Sequence, residues 1–523
     1  MRQWMVAAKK ADFYAIAEKF HVDPVVARII RNREVIGEKN IRIYLGGNLS
    51  DLSDPHQMKD MDRLVEILAQ KIRKQAHIRI IGDYDVDGVT SSHLFLTALR
   101  RVGAKVDVVI PHRIQDGYGL SLHLLQQAKE DGVDTILTCD NGIAAIDEIA
   151  WAKAQKMTVL VTDHHAVPFE EHEGRRTEKK SLADAVVNPH QQDCGYPYKE
   201  LCGAGVAWNV IRVLYENYDM DKREAEDLLD FVAMATVCDV MSLTGENRIL
   251  VKEGLKRIRH TKNIGLQALM QACNVQPENI SAYHFGYVLG PCVNATGRLD
   301  TARHALRLFE TGQETEAEEI ARDLVDLNQE RKELTLQGVE MAKKLCEEGG
   351  YENDPILVLF LPDVHESIAG LIAGRIREMY NRPVFVLTRG EEGVKGSGRS
   401  TENYSMYENM CGCAELFTKF GGHPMAAGLS LPEENVEKFR RKINENCPLT
   451  VEEVCPDIHI DMAMPVGYAS TELVHQFALL EPFGKDNPSP LFADRNLSIS
   501  RMWVIGKNLS LIHISEPTRP EPI

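Results

Sequence analysis

Between residues 77 and 163, short β-branched runs alternate with stretches of helical periodicity. HIRIIGD, VDVVIP, TILTCD and TVLVTD are rich in β-branched residues and by composition read as strands near full burial. VTSSHLFLTALRRVG and IDEIAWAKAQ separate them with apolar residues at helical spacing. This alternation predicts a parallel, doubly wound sheet. ADAVVNP extends the sheet, and GVAWNVIRVLYEN and AEDLLDFVAMATVCD read as helices beyond it. The expected division is a mostly helical segment at 1–60 and a first α/β domain at 61–254. A helical connector follows at 255–350, built on the long charged helix ETEAEEIARDLVDLNQERKELTLQGVEMAKKLCEEGG. Residues 351–450 read as a second, smaller α/β domain, with DPILVLFLP and PVFVLTR as strands, IAGLIAGRIREMY as a helix, and KGSGRS and GGHPMAAG as glycine-rich loops. Residues 456–508 read as a small β-rich module. The last stretch, SLIHISEPTRPEPI, fits neither a strand meander nor a capped helix, and 509–523 is expected to be a non-native tail of translated adapter type.

Composition bounds this picture. A chain of 523 residues holds three or four domains at roughly 150 residues each, and 44% hydrophobic with 26% charged residues is ordinary for folded protein. No apolar run approaches the roughly 18–20 residues that span a bilayer, and MRQWMVAAKKADF lacks a signal-peptide pattern, so a cytoplasmic protein without membrane attachment is expected. Eleven cysteines, an odd number with no export signal, argue against a disulfide framework. Cys411 and Cys413 are the closest two and read as surface or packing cysteines rather than zinc ligands. A net charge of −17 excludes a generally basic, histone-like surface but leaves room for a local cationic groove.

The strongest chemical signal is Gly82-Asp83-Tyr84-Asp85-Val86-Asp87-Gly88 at the end of HIRII. In an extended chain the three carboxylates would point to one face and repel one another unless a cation lay among them. The run also opens like an EF-hand loop, but the twelfth position is Leu94, where calcium needs a bidentate Glu, and a strand precedes it. Thr138-Cys139-Asp140-Asn141-Gly142 and Thr162-Asp163-His164-His165 close two further strands, and the carboxyl ends of parallel strands share one edge. Such an edge, rich in oxygen donors with one or two imidazoles, suits Mn²⁺ or Mg²⁺ and has carboxylates enough for two ions. Asp239, in ATVCDVMSL, is a weaker candidate by itself. No phosphate-binding G-x-x-x-x-G-K-[ST] occurs, and the zincin pattern begun by His365-Glu366 fails at Ala369.

Asp85-Val86-Asp87, Asp140, Asp163-His164-His165 and Asp239 follow the order and spacing of the four motifs of the DHH phosphoesterase superfamily, which the chain resembles to about Lys507. Gly117-Tyr118-Gly119-Leu120, Cys202-Gly203-Ala204-Gly205, Asn294-Ala295-Thr296-Gly297-Arg298 and Gly421-Gly422-His423-Pro424 make it similar to the single-strand-specific exonucleases of that superfamily. The resemblance implies a parallel-sheet DHH domain, a DHH-associated domain across a long helix, and an oligonucleotide-binding (OB-like) β module, here only partial. It implies Asp85, Asp87, Asp140, His164 and Asp239 as metal ligands, with Asp140 bridging two Mn²⁺ or Mg²⁺ ions and Asp83 as a ligand or close behind. His165 would approach the scissile phosphate, completing a catalytic set of Asp85, Asp87, Asp140, His164, His165 and Asp239. Arg298, Ser397, Arg399, Gly422 and His423 would hold DNA phosphates. The implied activity is 5′-to-3′ hydrolysis of single-stranded DNA to mononucleotides in repair and recombination, by a monomer working with a helicase or single-strand-binding protein. The rival readings are a phosphodiesterase for short oligonucleotides or cyclic dinucleotides, and a non-catalytic DNA-binding scaffold.

Overall fold

The structure is a computed structural model that describes the chain except residues 1–3, 114–115, 117–118, 173–174, 352, 391–392, 455–456, 496, 498, 506–508 and 515–523. Gly117 and Tyr118 of the expected turn lie outside the described residues. The predicted parallel sheet is present, with five strands in the order Lys105–Val109, His77–Ile81, Thr135–Cys139, Thr158–Thr162 and Ala185–Val187. Alternate residues serve two cores. Ile78, Ile80, Leu137 and Leu160 pack on the helices Met61–Arg73, Val86–Arg101 and Gly203–Asn217. Ile81, Ile136, Val159 and Val161 pack on Leu122–Glu130 and Ile146–Ala154. Cover on both faces is why the three central strands carry apolar residues on both sides, while the edge strand Lys105–Val109 keeps Lys105 and Asp107 and is only half-buried.

The first core does not stop at residue 254. It continues through Leu266, Phe285 and Phe309 to Leu324, so the helices expected as a connector belong to this body. The charged helix, Glu314–Glu348, does join two bodies, because Ala317 to Leu324 pack in the first core and Val339, Ala342 and Cys346 in the second.

The second domain is a mixed five-stranded sheet in the order Lys419–His423, Ala426–Leu431, Gly393–Arg399, Val384–Gly390 and Leu357–Phe360, with only the last pair parallel. Glu366–Tyr380 packs on one face and Val436–Glu445 on the other. KGSGRS and GGHPMAAG are therefore largely strands, not loops. Glycine occurs there because of close packing: a Cβ on Gly396 would lie 2.4 Å from Leu387, and one on Gly398 2.5 Å from the Met406 sulfur.

The chain opens with a strand, Trp4–Val6, parallel to Ile458–Ile460. Helices Phe13–Phe20, Pro24–Asn32 and Glu38–Gly46 then share one core with Met464, Leu473 and Leu480, so the two ends of the chain form one body. Arg33 grips Asp461 with two hydrogen bonds of 2.6 and 3.0 Å. Arg248 is fully buried and donates to the carbonyls of Tyr44, Leu480 and Leu479, which ties this body to the first domain. The C-terminal module is less purely β than expected, since the helix Thr471–Phe477 lies inside it. Its described strands form two-stranded pairs, Met462–Ala463 with Phe492–Ala493 and Ile499–Ile505 with Leu509–Ile514. The last pairing places residues 509–514 in a strand, where the sequence pattern suggested neither strand nor helix.

Candidate metal centre

Strand order reverses between His77–Ile81 and Thr135–Cys139, and a crevice opens beyond their carboxyl ends. Asp83, Asp85 and Asp87 follow the first of these strands and Asp140 the second. His164 and His165 follow the neighbouring Thr158–Thr162, and Asp239 ends the helix Leu229–Cys238. The three leading carboxylates are not one extended run. Asp85 is the N-cap of Val86–Arg101, its Oδ1 accepting from the Gly88 N–H at 3.0 Å, and Asp87 already lies in the first helical turn. They converge because the helix folds straight back from the strand end.

Three overlapping groups result, Asp83-Asp85-Asp140, Asp87-His164-Asp239 and Asp140-His164-His165, with the ligand atoms of each within 4.8 Å of one another. His164 Nε2 lies 3.0 Å from Asp140 Oδ1 and 3.6 Å from both Asp87 Oδ2 and Asp239 Oδ2. That nitrogen and Asp83 Oδ1 are buried without a hydrogen-bond partner, a state that costs on the order of 1–3 kcal/mol per group unless a ligand answers it. Burial, then the neighbouring carboxylates, push Asp83, Asp140 and Asp239 well above the usual carboxylate range. Hard oxygen donors with one or two imidazoles, mutually repelling and partly orphaned, fit divalent manganese or magnesium.

The backbone holds this geometry at some cost. Asp140 and Val240, beside Asp239, both have left-handed φ, at 60° and 55°, a conformation worth about 1–2 kcal/mol to an L-residue. The N-terminus of Gly203–Asn217 is pressed against the acids, and Asp87 accepts from the N–H groups of Gly203 and Ala204 at 2.6 and 2.7 Å. A Cβ on Gly203 would stand 2.6 Å from that of Asp140, so only glycine allows the approach.

Asp163, which belongs to none of the three groups, orients its neighbours. Its Oδ1 accepts from the His164 and His165 N–H groups and from His165 Nδ1 at 2.8 Å, and its Oδ2 from Ile143. Burial opposes charge on both residues and is the largest influence on each, but the Asp163–His165 hydrogen bond together with the surrounding opposite charges outweighs it. Asp163 is held below the carboxylate range and His165 is raised to about 9. With its side chain 40% exposed against 8% for His164, His165 is the imidazole at the mouth.

The second domain closes the other side. A cavity of about 430 Å³ is lined by Arg113 from the first domain and by Ser367, Lys395, Ser397 and Lys419 from the second. Arg113 stands 4.9 Å over the ring of Tyr84, between two of the acids. Arg298 lies behind this cavity with Arg113, Arg331 and Arg399 around it, and burial with those charges pushes it down to about 10. Among the described residues, Arg298, Arg331 and Arg399 hydrogen-bond neutral oxygens of Ser367, Asn328 and Gly398. Guanidinium groups gathered without acids match an anion such as phosphate. Asn294 Oδ1 accepts from the Val86 N–H, and a Cβ on Gly297 would lie 2.4 Å from the Tyr84 carbonyl, so Asn294-Ala295-Thr296-Gly297-Arg298 locks onto the acidic loop.

The predicted ligand and catalytic residues thus assemble at one point, whereas the predicted phosphate residues are spread out. Ser397 lines the cavity; Arg298 and Arg399 sit behind it. His423 and Gly422 are exposed, with His423 in register, through Ala426, with Arg399 at the sheet end. Arg113, the orienting role of Asp163, and Lys485, whose charge favours ionised Asp239 from the C-terminal module, were not predicted. Arg113 was within reach of the strand-end rule, because it follows VDVVIP.

Three family models match the chain: the DHH family N-terminal domain over residues 77–236, the DHHA1 domain over 353–447 and the RecJ OB domain over 460–516. The single-stranded-DNA-specific exonuclease RecJ of Bacillus subtilis is 33% identical over 97% of this chain, which spans 63% of that relative's length. The RecJ of Haemophilus influenzae is 34% identical over 93% of this chain and 85% of its own length. The crystal structure of Thermus thermophilus RecJ with Mn²⁺ matches at a TM-score of 0.82 and 26% identity, covering 99% of this chain and 75% of that one. The Mg²⁺ complex matches at 0.74 and 27%, over 94% and 67%.

Proposed function

Because the chain belongs to the RecJ family of single-stranded-DNA-specific exonucleases, we propose that it is a manganese- or magnesium-dependent exonuclease that hydrolyses single-stranded DNA. The observation that carries the reading is the convergence of six acids and two imidazoles on a cleft whose far wall gathers guanidinium groups. Asp83, Asp85, Asp87, Asp140, His164 and Asp239 would hold two ions, with Asp140 between them. Such ions polarise a phosphoryl group and make water acidic enough to serve as nucleophile near neutral pH. His165, oriented by Asp163 at the mouth, donates to the scissile phosphate. Arg113, Ser397 and, behind them, Arg298 and Arg399 fix the phosphate of the strand end, while Lys485 brings positive charge from the C-terminal module. A cleft with metal ligands on one wall and phosphate donors on the other admits one backbone and excludes a duplex about 20 Å wide. Entry from the 5′ end, release of mononucleotides, a place in repair and recombination, monomeric action in the cytoplasm, and a helicase or single-strand-binding partner complete the reading. A binding scaffold would gain nothing from carboxylates whose burial opposes their charge.

The test is parallel digestion of end-labelled single strands, blunt duplex and dinucleotide, before and after exhaustive chelation. Mn²⁺-restored cleavage confined to the single strand is expected. Preference for the dinucleotide, or full activity in the chelated protein, would refute it.

A further inference from the structure

Two thiols outside the metal centre face each other in the first domain. Cys273 follows the last turn of the helix Ile264–Ala272 and is partly exposed; Cys292 is buried in Gly290–Leu299. Their Sγ atoms are 3.7 Å apart, and among the described residues no other two thiols are in hydrogen-bonding contact. A disulfide requires about 2.05 Å, so less than ~2 Å of approach would close one. Cys273, already past its helix, can supply that movement.

Cys292 is also wired to the substrate side of the molecule. Its sulfur accepts from Asn328 Nδ2 at 3.4 Å, and Asn328 Oδ1 accepts from Arg331 Nε and Nη2 at 3.1 and 2.9 Å. The same short helix carries Asn294, bonded to the Val86 N–H, and Arg298, bonded to the Ser367 carbonyl of the second domain. A change at Cys292 therefore reaches the acidic loop, the guanidinium cluster and the interdomain helix within one element.

We propose that Cys273 and Cys292 form a reversible disulfide when hydrogen peroxide is present, and that closing it displaces Gly290–Leu299 and slows DNA cleavage. The Cys273 thiolate attacks one peroxide oxygen: the S–O bond forms, the O–O bond breaks, and the departing hydroxide is protonated to water. Cys292 gives its proton to solvent and its sulfur attacks that of Cys273; the S–S bond forms, the S–O bond breaks, and hydroxide again leaves as water. Two thiols lose two electrons and one peroxide becomes two waters. The order follows from the surroundings. The hydrogen bond from Cys292 and the Lys332 charge hold the Cys273 thiol below its usual range, while that same bond and burial push Cys292 up.

The slowing of cleavage rests on the exonuclease reading; the crosslink does not. The full chain with Mg²⁺ is exposed to hydrogen peroxide, quenched with a thiol-alkylating reagent and peptide-mapped without reduction, with cleavage of a labelled single strand followed before and after dithiothreitol. A peptide joining Cys273 to Cys292 is expected before the exposed Cys411 is oxidised. Cleavage should fall about tenfold, the size of a typical coupling between sites, and recover with dithiothreitol. Cys273→Ser should keep basal activity and ignore peroxide. Cys292→Ser should likewise ignore peroxide, read relative to its own basal rate, and Cys273→Ser alone decides if the buried variant misfolds. Absence of the joined peptide overturns the site at any level of nuclease activity. A joined peptide with unchanged cleavage, or undiminished peroxide sensitivity in Cys273→Ser, overturns the coupling. A chain that forms the crosslink yet never cleaves a single strand fails the exonuclease reading alone.

Discussion

At the scale of single residues, Asp140 and Asp163 separate two ways in which a carboxylate serves this centre. Asp140 sits where two ligand groups meet and is repelled by Asp87, Asp85, Asp239 and Asp83. Asp140→Ala should abolish Mn²⁺-dependent cleavage while raising the melting temperature of the metal-free protein, because repulsion among the acids is relieved. Calorimetric melts with and without chelator check both halves. Asp163 orients rather than ligates. Asp163→Asn should leave Mn²⁺ affinity within about tenfold of the parent by titration calorimetry, yet cost on the order of 10²–10⁴ in kcat, the usual worth of a positioned proton donor. Arg399 lies behind the cavity, so Arg399→Ala should raise KM for a single strand more than it lowers kcat, with Lys rescuing only in part because the forked geometry is lost.

Among the elements, the helix Gly203–Asn217 decides how tightly the acids are gathered. Its first two N–H groups hold Asp87, and its first residue has no room for a side chain beside Asp140. Gly203→Ala should cost about 1–3 kcal/mol of stability, as overpacking of a close contact does. It should also weaken metal binding with little change in far-ultraviolet circular dichroism. Wild-type Mn²⁺ affinity in that variant would show that the helix end does not shape the centre.

For the whole molecule, the telling feature is the union of its two ends. Arg33 and Asp461 are each about one-tenth exposed and pair across most of the chain's length. Arg33→Ala leaves a buried carboxylate alone and should cost on the order of 3 kcal/mol, read as a lower melting temperature and faster proteolysis near residue 461. Burial would raise Asp461, but the Arg33 hydrogen bonds and charge, with the Leu491 N–H and the Asn32 amide, together outweigh it and hold the carboxyl below its ordinary value. The stabilisation is therefore complete above the unfolded carboxylate pKa of roughly 4 and is lost as pH falls through the lower folded value. Asp461→Asn should flatten that acid-side loss; an unchanged acid profile would place the linkage elsewhere.

The chain's own pattern determined the parallel sheet, the long helix and the set of acids, because buried strands must be apolar and strand ends in a parallel sheet share an edge. The positions of Asp83, Asp85, Asp87, Asp140, His164, His165 and Asp239 were readable for that reason. It did not determine that KGSGRS and GGHPMAAG are strands, since glycine marks equally a turn and a strand face pressed against Phe385 or Leu387. It could not show that Asp85 caps a helix that Asp87 has already entered, because a carboxylate series looks the same extended or coiled. The pairing of Trp4–Val6 with Ile458–Ile460, the approach of Lys485 to the acids, and the meeting of Cys273 with Cys292 were settled only by tertiary structure. Each depends on contacts between residues far apart in the chain, where local periodicity carries no record of the partner.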